Sequence, residues 1–221
     1  MMPIIKRKDM DASTISKLLN QAHIWHKTDN SIIRTKKTRA RIPKINNKVA
    51  YLAGIITGDG SLTVCRRKKG GYLYRINIVG HKEHLLYITT LLNDLFSCKP
   101  QVLRDKRKAN CYLINIYNAA IFFYFTQLGF AAGKKRNIKV PRMIADNPKL
   151  FKHYMLGLID TDGSVSKNRI HLKQREESFL KELVYLLEKH LNIKSNPPKV
   201  NYTKGKPFYY IRFPKTLTPD F

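Results

Sequence analysis

Two aspartates, Asp59 and Asp162, close two near-copies of one stretch, Tyr51-Leu-Ala-Gly-Ile-Ile-Thr-Gly-Asp-Gly-Ser61 and Tyr154-Met-Leu-Gly-Leu-Ile-Asp-Thr-Asp-Gly-Ser164. Each copy is an apolar run with a small residue every four positions, Gly54 and Gly58 in the first and Gly157 and Thr161 in the second. Residues four apart share a helix face. A face so thin lets two helices bring their backbones together, and that close approach is what justifies glycine inside an apolar turn, where it costs about 0.5 to 1 kcal/mol relative to alanine. Both runs end in Asp-Gly-Ser, and Gly60 and Gly163 are expected to take the positive φ that stops a helix. Each aspartate then lies at a helix C-terminus, whose partial negative charge disfavours a carboxylate unless a cation answers it. Parallel packing of the two helices would bring both carboxylates to one place and strengthen that demand. A divalent ion with oxygen ligands, most simply Mg²⁺, is the natural answer. One Asp-Gly after an apolar run is only a turn; two with matching prefixes are a device.

The paired stretches resemble the LAGLIDADG motif, and two in one chain resemble the single-chain form of the LAGLIDADG homing endonucleases. Leu52-Ala53-Gly54, Ile56 and Asp59-Gly60 match the motif in the first copy, with Thr57 and Gly58 departing; Gly157-Leu158-Ile159-Asp160 and Asp162-Gly163 match in the second, with Met155, Leu156 and Thr161 departing. The resemblance runs from about Val49 to the end. It implies an α+β fold of two pseudo-symmetric αββαββα-type halves, with sheets forming a saddle over DNA. It also implies Mg²⁺-dependent, or other divalent-cation-dependent, cutting of both strands at a long asymmetric site. Asp59 and Asp162 would hold the metals, with the carbonyls of Gly58 and Thr161 completing the shell. The family also sets a polar residue at the end of the second strand and a lysine near each metal. Gln174 matches the first in the second half, whereas Gly80 falls there in the first half, leaving the role vacant or to His81. Lys135 matches the lysine, with Lys134 its rival, and no lysine is identifiable for the second half. An RNA maturase and a cleavage-inactive DNA-binding regulator are the alternatives within the family; retention of both acids argues for cutting.

Composition supports a polyanionic partner. The chain of 221 residues carries 42 Lys plus Arg against 15 Asp plus Glu, a net charge of +27 that a compact fold tolerates poorly without phosphate to neutralise it. The charge is spread over the chain, with no long apolar span and no single basic amphipathic helix, which suits double-stranded DNA and not a membrane. The N-terminus lacks the apolar core of a signal peptide, and Cys65, Cys98 and Cys111 lack metal-ligand spacing; both fit an intracellular, reducing setting. The HxxH strings His23/His26 and His81/His84 have no ligand cluster beside them and read as solvated or capping residues.

Three regions follow: a basic appendage over 1–48, a first half over 49–140 and a second over 141–221. In the appendage, Asp11 starts a helical pattern through Ile15, Leu18, Leu19 and Ala22, with Trp25 just beyond. Ser31 to Lys48 holds seven Lys or Arg and no acid, either a solvated linker or an arm along phosphates. The first half reads as a hairpin over Leu62–Val79, a helix over His81–Phe96, a hairpin over Gln101–Tyr117 and an apolar aromatic helix over Ala119–Leu128. The second half repeats it: Arg169–Lys173 echoes Arg75–Val79, Phe179–His190 echoes Leu85–Phe96, and Phe208–Phe213 echoes Cys111–Ile116. It lacks a clear final helix, so its sheet is less covered unless the N-terminal segment covers it or the natural chain is longer. The chain is expected to act as a monomer with internal pseudo-twofold symmetry.

Strand alternation assigns Arg75, Asn77, Arg169, His171, Lys173, Lys199, Asn201, Thr203 and Arg212 to a polar, DNA-binding face. Hairpin tips at Arg66, Arg67, Lys68 and Lys69, at Lys106, Arg107 and Lys108, and at Lys204 and Lys206 extend the footprint along the backbone. Tyr72 and Tyr74 share a face that alternation alone leaves open between core and DNA.

Overall fold

A computed structural model describes residues 26–29, 32–35, 39–67, 71–106, 110–203 and 205–215. Lys68, Lys69, Arg107, Lys108 and Lys204, the helical pattern from Asp11, and Trp25 lie outside the described residues. Packing divides the chain into two compact units, one of Met1–Ile45 with Leu62–Gly133 and one of Asn46–Ser61 with Lys134–Phe221.

The first unit opens with three short antiparallel strands in order, β1 (His26–Asp29), β2 (Ile32–Thr35) and β3 (Arg39–Arg41). β2 and β3 stand where the sequence suggested a linker or an extended arm. Arg41 donates from Nε to Leu95 O (3.4 Å) and from its guanidinium to Asp94 O, so a cation caps the negative end of a helix instead of standing free for phosphate. The strands pack beside the two helices of this first unit. The described part of the appendage is therefore a cover for the first half.

The rest of the first unit is a four-stranded antiparallel sheet, order β4-β5-β7-β6, formed by β4 (Gly60–Arg66), β5 (Tyr72–Gly80), β6 (Val102–Arg104) and β7 (Tyr112–Ile116). Ile76 faces Ile116 and Ile78 faces Ile114, and all four are buried. Helices α2 (Lys82–Phe96) and α3 (Ala119–Leu128) cover that side. The α3 run is nearly all aromatic and aliphatic because it is buried almost all round. Tyr74 packs on Phe122 and Phe123 at 5.2 and 4.9 Å between ring centres, whereas Tyr72 is exposed, which resolves the two tyrosines in opposite ways.

The second unit holds α1 (Asn47–Gly58), the short α4 (Arg142–Ala145), α5 (Pro148–Asp162) and α6 (Glu177–Leu191). Its sheet, order β10-β11-β9-β8, is built from β8 (Gly163–Val165), β9 (Arg169–Gln174), β10 (Lys199–Thr203) and β11 (Lys206–Pro214). Ile170, Leu172, Ile211 and Phe213 form its buried face beneath Phe179, Leu183 and Leu187 of α6. Among the described residues no helix follows β11. Val200 and Tyr202, on the core side by register, are accordingly 49% and 65% exposed. The two halves thus repeat one αββαββ order, and among the described residues the second shows no counterpart of α3. No described helix is long and apolar enough to cross a membrane.

Candidate metal and nucleic-acid site

Helices α1 and α5 meet along the small-residue stripe. An added Cβ at Gly54 would lie 2.1 Å from Tyr154 O, and one at Gly157 would lie 2.0 Å from Tyr51 O. Backbone touches backbone, which only glycine permits. One turn further along, a Cβ at Gly58 would lie 2.0 Å from Thr161 Oγ1 and 3.0 Å from Asp162 Oδ2. The contacts climb in the same direction on both helices, so the pair is parallel and both C-termini lie at one end. Two polar links cross the seam. Tyr154 Oη donates to Thr57 Oγ1 (2.9 Å) in the buried part, and Tyr51 Oη donates to Asp160 Oδ2 (2.6 Å) at its edge. Thr57, a departure from the motif, is satisfied on both sides because its hydroxyl also donates to Ala53 O (2.9 Å).

The helices end differently from the sequence expectation. Gly163 has φ −88° and Gly60 is not among the residues with positive φ. The glycines are required by space. A Cβ at Gly60 would lie 2.6 Å from Ile56 Cα, and one at Gly163 would lie 2.4 Å from Ile159 O, because each chain folds straight back over its helix's last turn into a strand.

Asp59 caps α1 and is exposed, while Asp162 is the last residue of α5 and half-buried. Lost hydration, then repulsion from Asp59, pushes the Asp162 carboxyl up to about 6, against the opposing pull of Lys135 and Gln174. Gln174 Nε2 donates to Asp162 Oδ2 at 2.5 Å. Gly80, at the equivalent register position of β5, has no side chain to offer, and His81 stands as N-cap of α2 without a capping bond.

Lys135 reaches the same corner. Its Nζ donates to the carbonyl oxygens of Thr57 and Gly58, each at 2.5 Å. Although most of the residue is exposed, its ammonium is drawn in among protein atoms. That desolvation lowers its pKa, while Asp162 and Asp59 raise it. Lys134 is exposed and makes neither contact. The segment carrying Lys135 is held by acids that sequence reasoning missed. Glu176 accepts the backbone N–H groups of Asn137 (2.8 Å) and Ile138 (2.7 Å), and Glu182 accepts that of Val140 (3.2 Å). Their signal was scarcity: with only 15 acids in the chain, a half-buried glutamate has a local reason to be there.

The corner suits a hard divalent ion. Asp162 and Asp59 repel one another, and carbonyl oxygens beside them already accept a cation, Lys135. No group of three or more His, Cys, Asp or Glu occurs among the described residues. Two carboxylates, carbonyls and added water or phosphate oxygens are a Mg²⁺-type set and a poor zinc set.

The sheet residues fall on one side by register. In the second unit His171 pairs with Arg212 and Lys173 with Tyr210, and Tyr210 pairs in turn with Lys199. Arg169, Asn201, Thr203 and Lys206 share that face, opposite the core. Its cations are propped on rings, Lys173 over Phe208 (5.8 Å) and Arg212 over Tyr210 (5.0 Å). In the first unit Arg75 and Asn77 face away from the core, and Arg75 Nε is buried without a hydrogen-bond partner. Arg66, Arg67 and Lys106 are exposed at the hairpin ends.

Residues 152–214 match the family model of the LAGLIDADG-like domain. No curated protein sequence is a significant match. Among solved structures, mesophilic variants of the homing endonuclease I-DmoI share the fold with a TM-score of 0.61 at 19% identity, over 76% of this chain and 88% of that one. I-DmoI in complex with DNA and Ca gives 0.62 at 19% identity, over 76% and 82%. I-DmoI in complex with DNA and Mn gives 0.59 at 20% identity, over 76% and 89%.

Proposed function

We propose that this chain, whose residues 152–214 match the LAGLIDADG-like domain and whose fold is shared with the homing endonuclease I-DmoI, is a site-specific DNA endonuclease that breaks both strands of a long asymmetric site with a divalent cation, Mg²⁺ in the simplest case. One observation carries the reading: a carboxylate from each copy of the repeat stands at the same end of a glycine-tight parallel helix pair, with the Lys135 ammonium beside them. The protein would act as a monomer, since a single chain supplies both carboxylates.

Asp59 and Asp162 would hold the cation, with the Gly58 and Thr161 carbonyls as further oxygen ligands. When bound, a divalent ion polarises the scissile phosphate, favours hydroxide over water and stabilises the departing 3′-oxygen. Gln174 fixes the rotamer of Asp162 through its 2.5 Å bond, so one carboxylate oxygen remains directed for coordination. Lys135 brings positive charge to the place where the pentavalent phosphate gathers negative charge, and its lowered pKa makes it a readier proton donor than a surface lysine. Glu176 and Glu182 keep that lysine in reach by pinning the backbone that follows it. The outer sheet faces, with the hairpin ends, would hold the duplex.

Supercoiled plasmid carrying a selected target tests the reading. Mg²⁺ should give linear product and chelator none. Asp59→Asn or Asp162→Asn should abolish cutting while leaving retention of the same DNA on a filter nearly unchanged. Loss of retention to the same degree as cutting would remove the metal role from these acids. Spliced RNA in place of cut DNA would favour the maturase alternative.

A further inference from the structure

The two sheets have the same register, so their outer faces can be compared position by position. In the first unit Val79 pairs with Leu113, which pairs with Leu103, so three apolar side chains lie in one row across β5, β7 and β6. The matching row of the second unit is Lys173, Tyr210 and Lys199. One step along, Asn77 pairs with Asn115 where the second unit has His171 with Arg212. The faces agree at Arg75 and Arg169, by the echo of the two strands. An apolar row on the outer face of a chain of net charge +27 is out of place on a surface meant only to hold phosphate; Val79 and Leu113 are half-buried and Leu103 is 46% exposed.

The amide pair is built for one base. Asn77 Nδ2 donates to Asn115 Oδ1 (3.1 Å) and to Ile114 O (3.3 Å), which uses both its hydrogens and fixes both amides. Asn77 Oδ1 and Asn115 Nδ2 then have no protein partner among the described residues. The pair thus offers one acceptor and one donor, the two functions that the adenine major-groove edge, with N6 donating and N7 accepting, calls for. The only apolar group in that groove is the thymine methyl, the partner for the leucine and valine row. In the second unit Arg212 Nε donates to His171 Nδ1 (3.2 Å), leaving the terminal guanidinium nitrogens to donate, as guanine O6 and N7 require.

We infer that the two halves read their half-sites by different chemistry: the first selects A·T pairs through the Val79-Leu113-Leu103 row and the Asn77–Asn115 pair, and the second binds through cations, with Arg212 favouring guanine. The inference rests on the sheet faces being the DNA surface. It predicts an asymmetric site.

The test is selection by the full chain from a randomised duplex library with Ca²⁺ in place of Mg²⁺, so that binding is read without cutting. One half of the recovered site should be enriched in A·T pairs. Deoxyuridine for thymidine in that half should weaken binding about four-fold per contacted methyl, and have no effect in the other half. The double variant Asn77→His/Asn115→Arg, with its melting curve compared with the parent, should move one position of that half from adenine toward guanine by about ten-fold. Recovered sites without A·T enrichment, or uracil equally harmful in both halves, would overturn the inference while leaving the endonuclease reading intact. A double variant that weakens every sequence alike would also overturn it, because that is the behaviour of phosphate contacts. Retention of no duplex at all would overturn the DNA surface itself.

Discussion

The two ends of the helix pair come from one repeat and yet present their acids in different settings. Asp59 follows Gly58, is exposed, and has only Gly80 at the register position from which its twin is supported. Asp162 is half-buried, receives Gln174 and has its carboxyl raised to about 6. The difference follows from packing. Gly58 offers no side chain, so Thr161 and Asp162 of α5 come close against α1 there. A duplicated sequence thus yields one half-buried carboxylate and one exposed.

The comparison can be broken most decisively by charge removal. Asp59→Asn and Asp162→Asn should each cost about a thousand-fold in cleavage rate, roughly 4 kcal/mol of lost transition-state stabilisation. If only Asp162→Asn does so, the exposed acid has no part in the chemistry. Next comes Lys135→Met, expected to slow cutting by about a hundred-fold with little change in DNA retention. Glu176→Ala should reproduce about a tenth of that loss by freeing the segment that carries Lys135, read as a lower rate at saturating DNA.

Gly54→Ala and Gly58→Ala separate the structural from the chemical end of the seam. At Gly54 the new methyl meets backbone, so denaturant midpoints should fall by an amount worth about 1 to 3 kcal/mol. At Gly58 it meets the side chains of Thr161 and Asp162, which can rotate away, so stability should change less and cutting more. Equal stability losses would show that the helix ends are as tightly joined as the middle.

The smallest effect is on metal-free stability. The folded pKa of Asp162, about 6, lies above its ordinary value of 3.8, so the folded chain binds this proton more tightly than the unfolded chain. The resulting penalty is fully present above pH 6 and is relieved as pH falls from there toward 4. In chelator, Asp162→Asn should melt above the parent at pH 7.5, and the gap should close by pH 4.5. A gap that widens on acidification would mean that the carboxylate is favoured, not penalised, in the fold. Mg²⁺ should raise the parent's melting temperature at pH 7.5 and not that of the variant.

Much of this was legible from residue order. The helix Ala119–Leu128 was readable from its unbroken apolar and aromatic run, and the structure adds the caps that bound it, Asn118 and Gly129. Strand alternation put Arg169, His171 and Lys173 on one face, and the register places Arg212, Lys199 and Asn201 with them. The same alternation passed over Val79, Leu113 and Leu103, because an apolar residue on an outer face looks like core until its neighbours across the sheet are known. The strands at the N-terminus were missed for a related reason: basic residues alternating with isoleucine and threonine read equally well as linker or strand until a partner is present.

The sequence alone determined the repeat, the pairing of small residues with terminal acids and the excess of positive charge, since these depend only on composition and spacing. Tertiary structure decided which carboxylate is desolvated, which lysine reaches it and why Gly60 and Gly163 are glycine. Those outcomes depend on distances of 2 to 3 Å between segments as much as 109 residues apart, such as Tyr51 and Asp160. Local order fixes how a segment bends, but proximity between distant segments is set only once the core has closed around them.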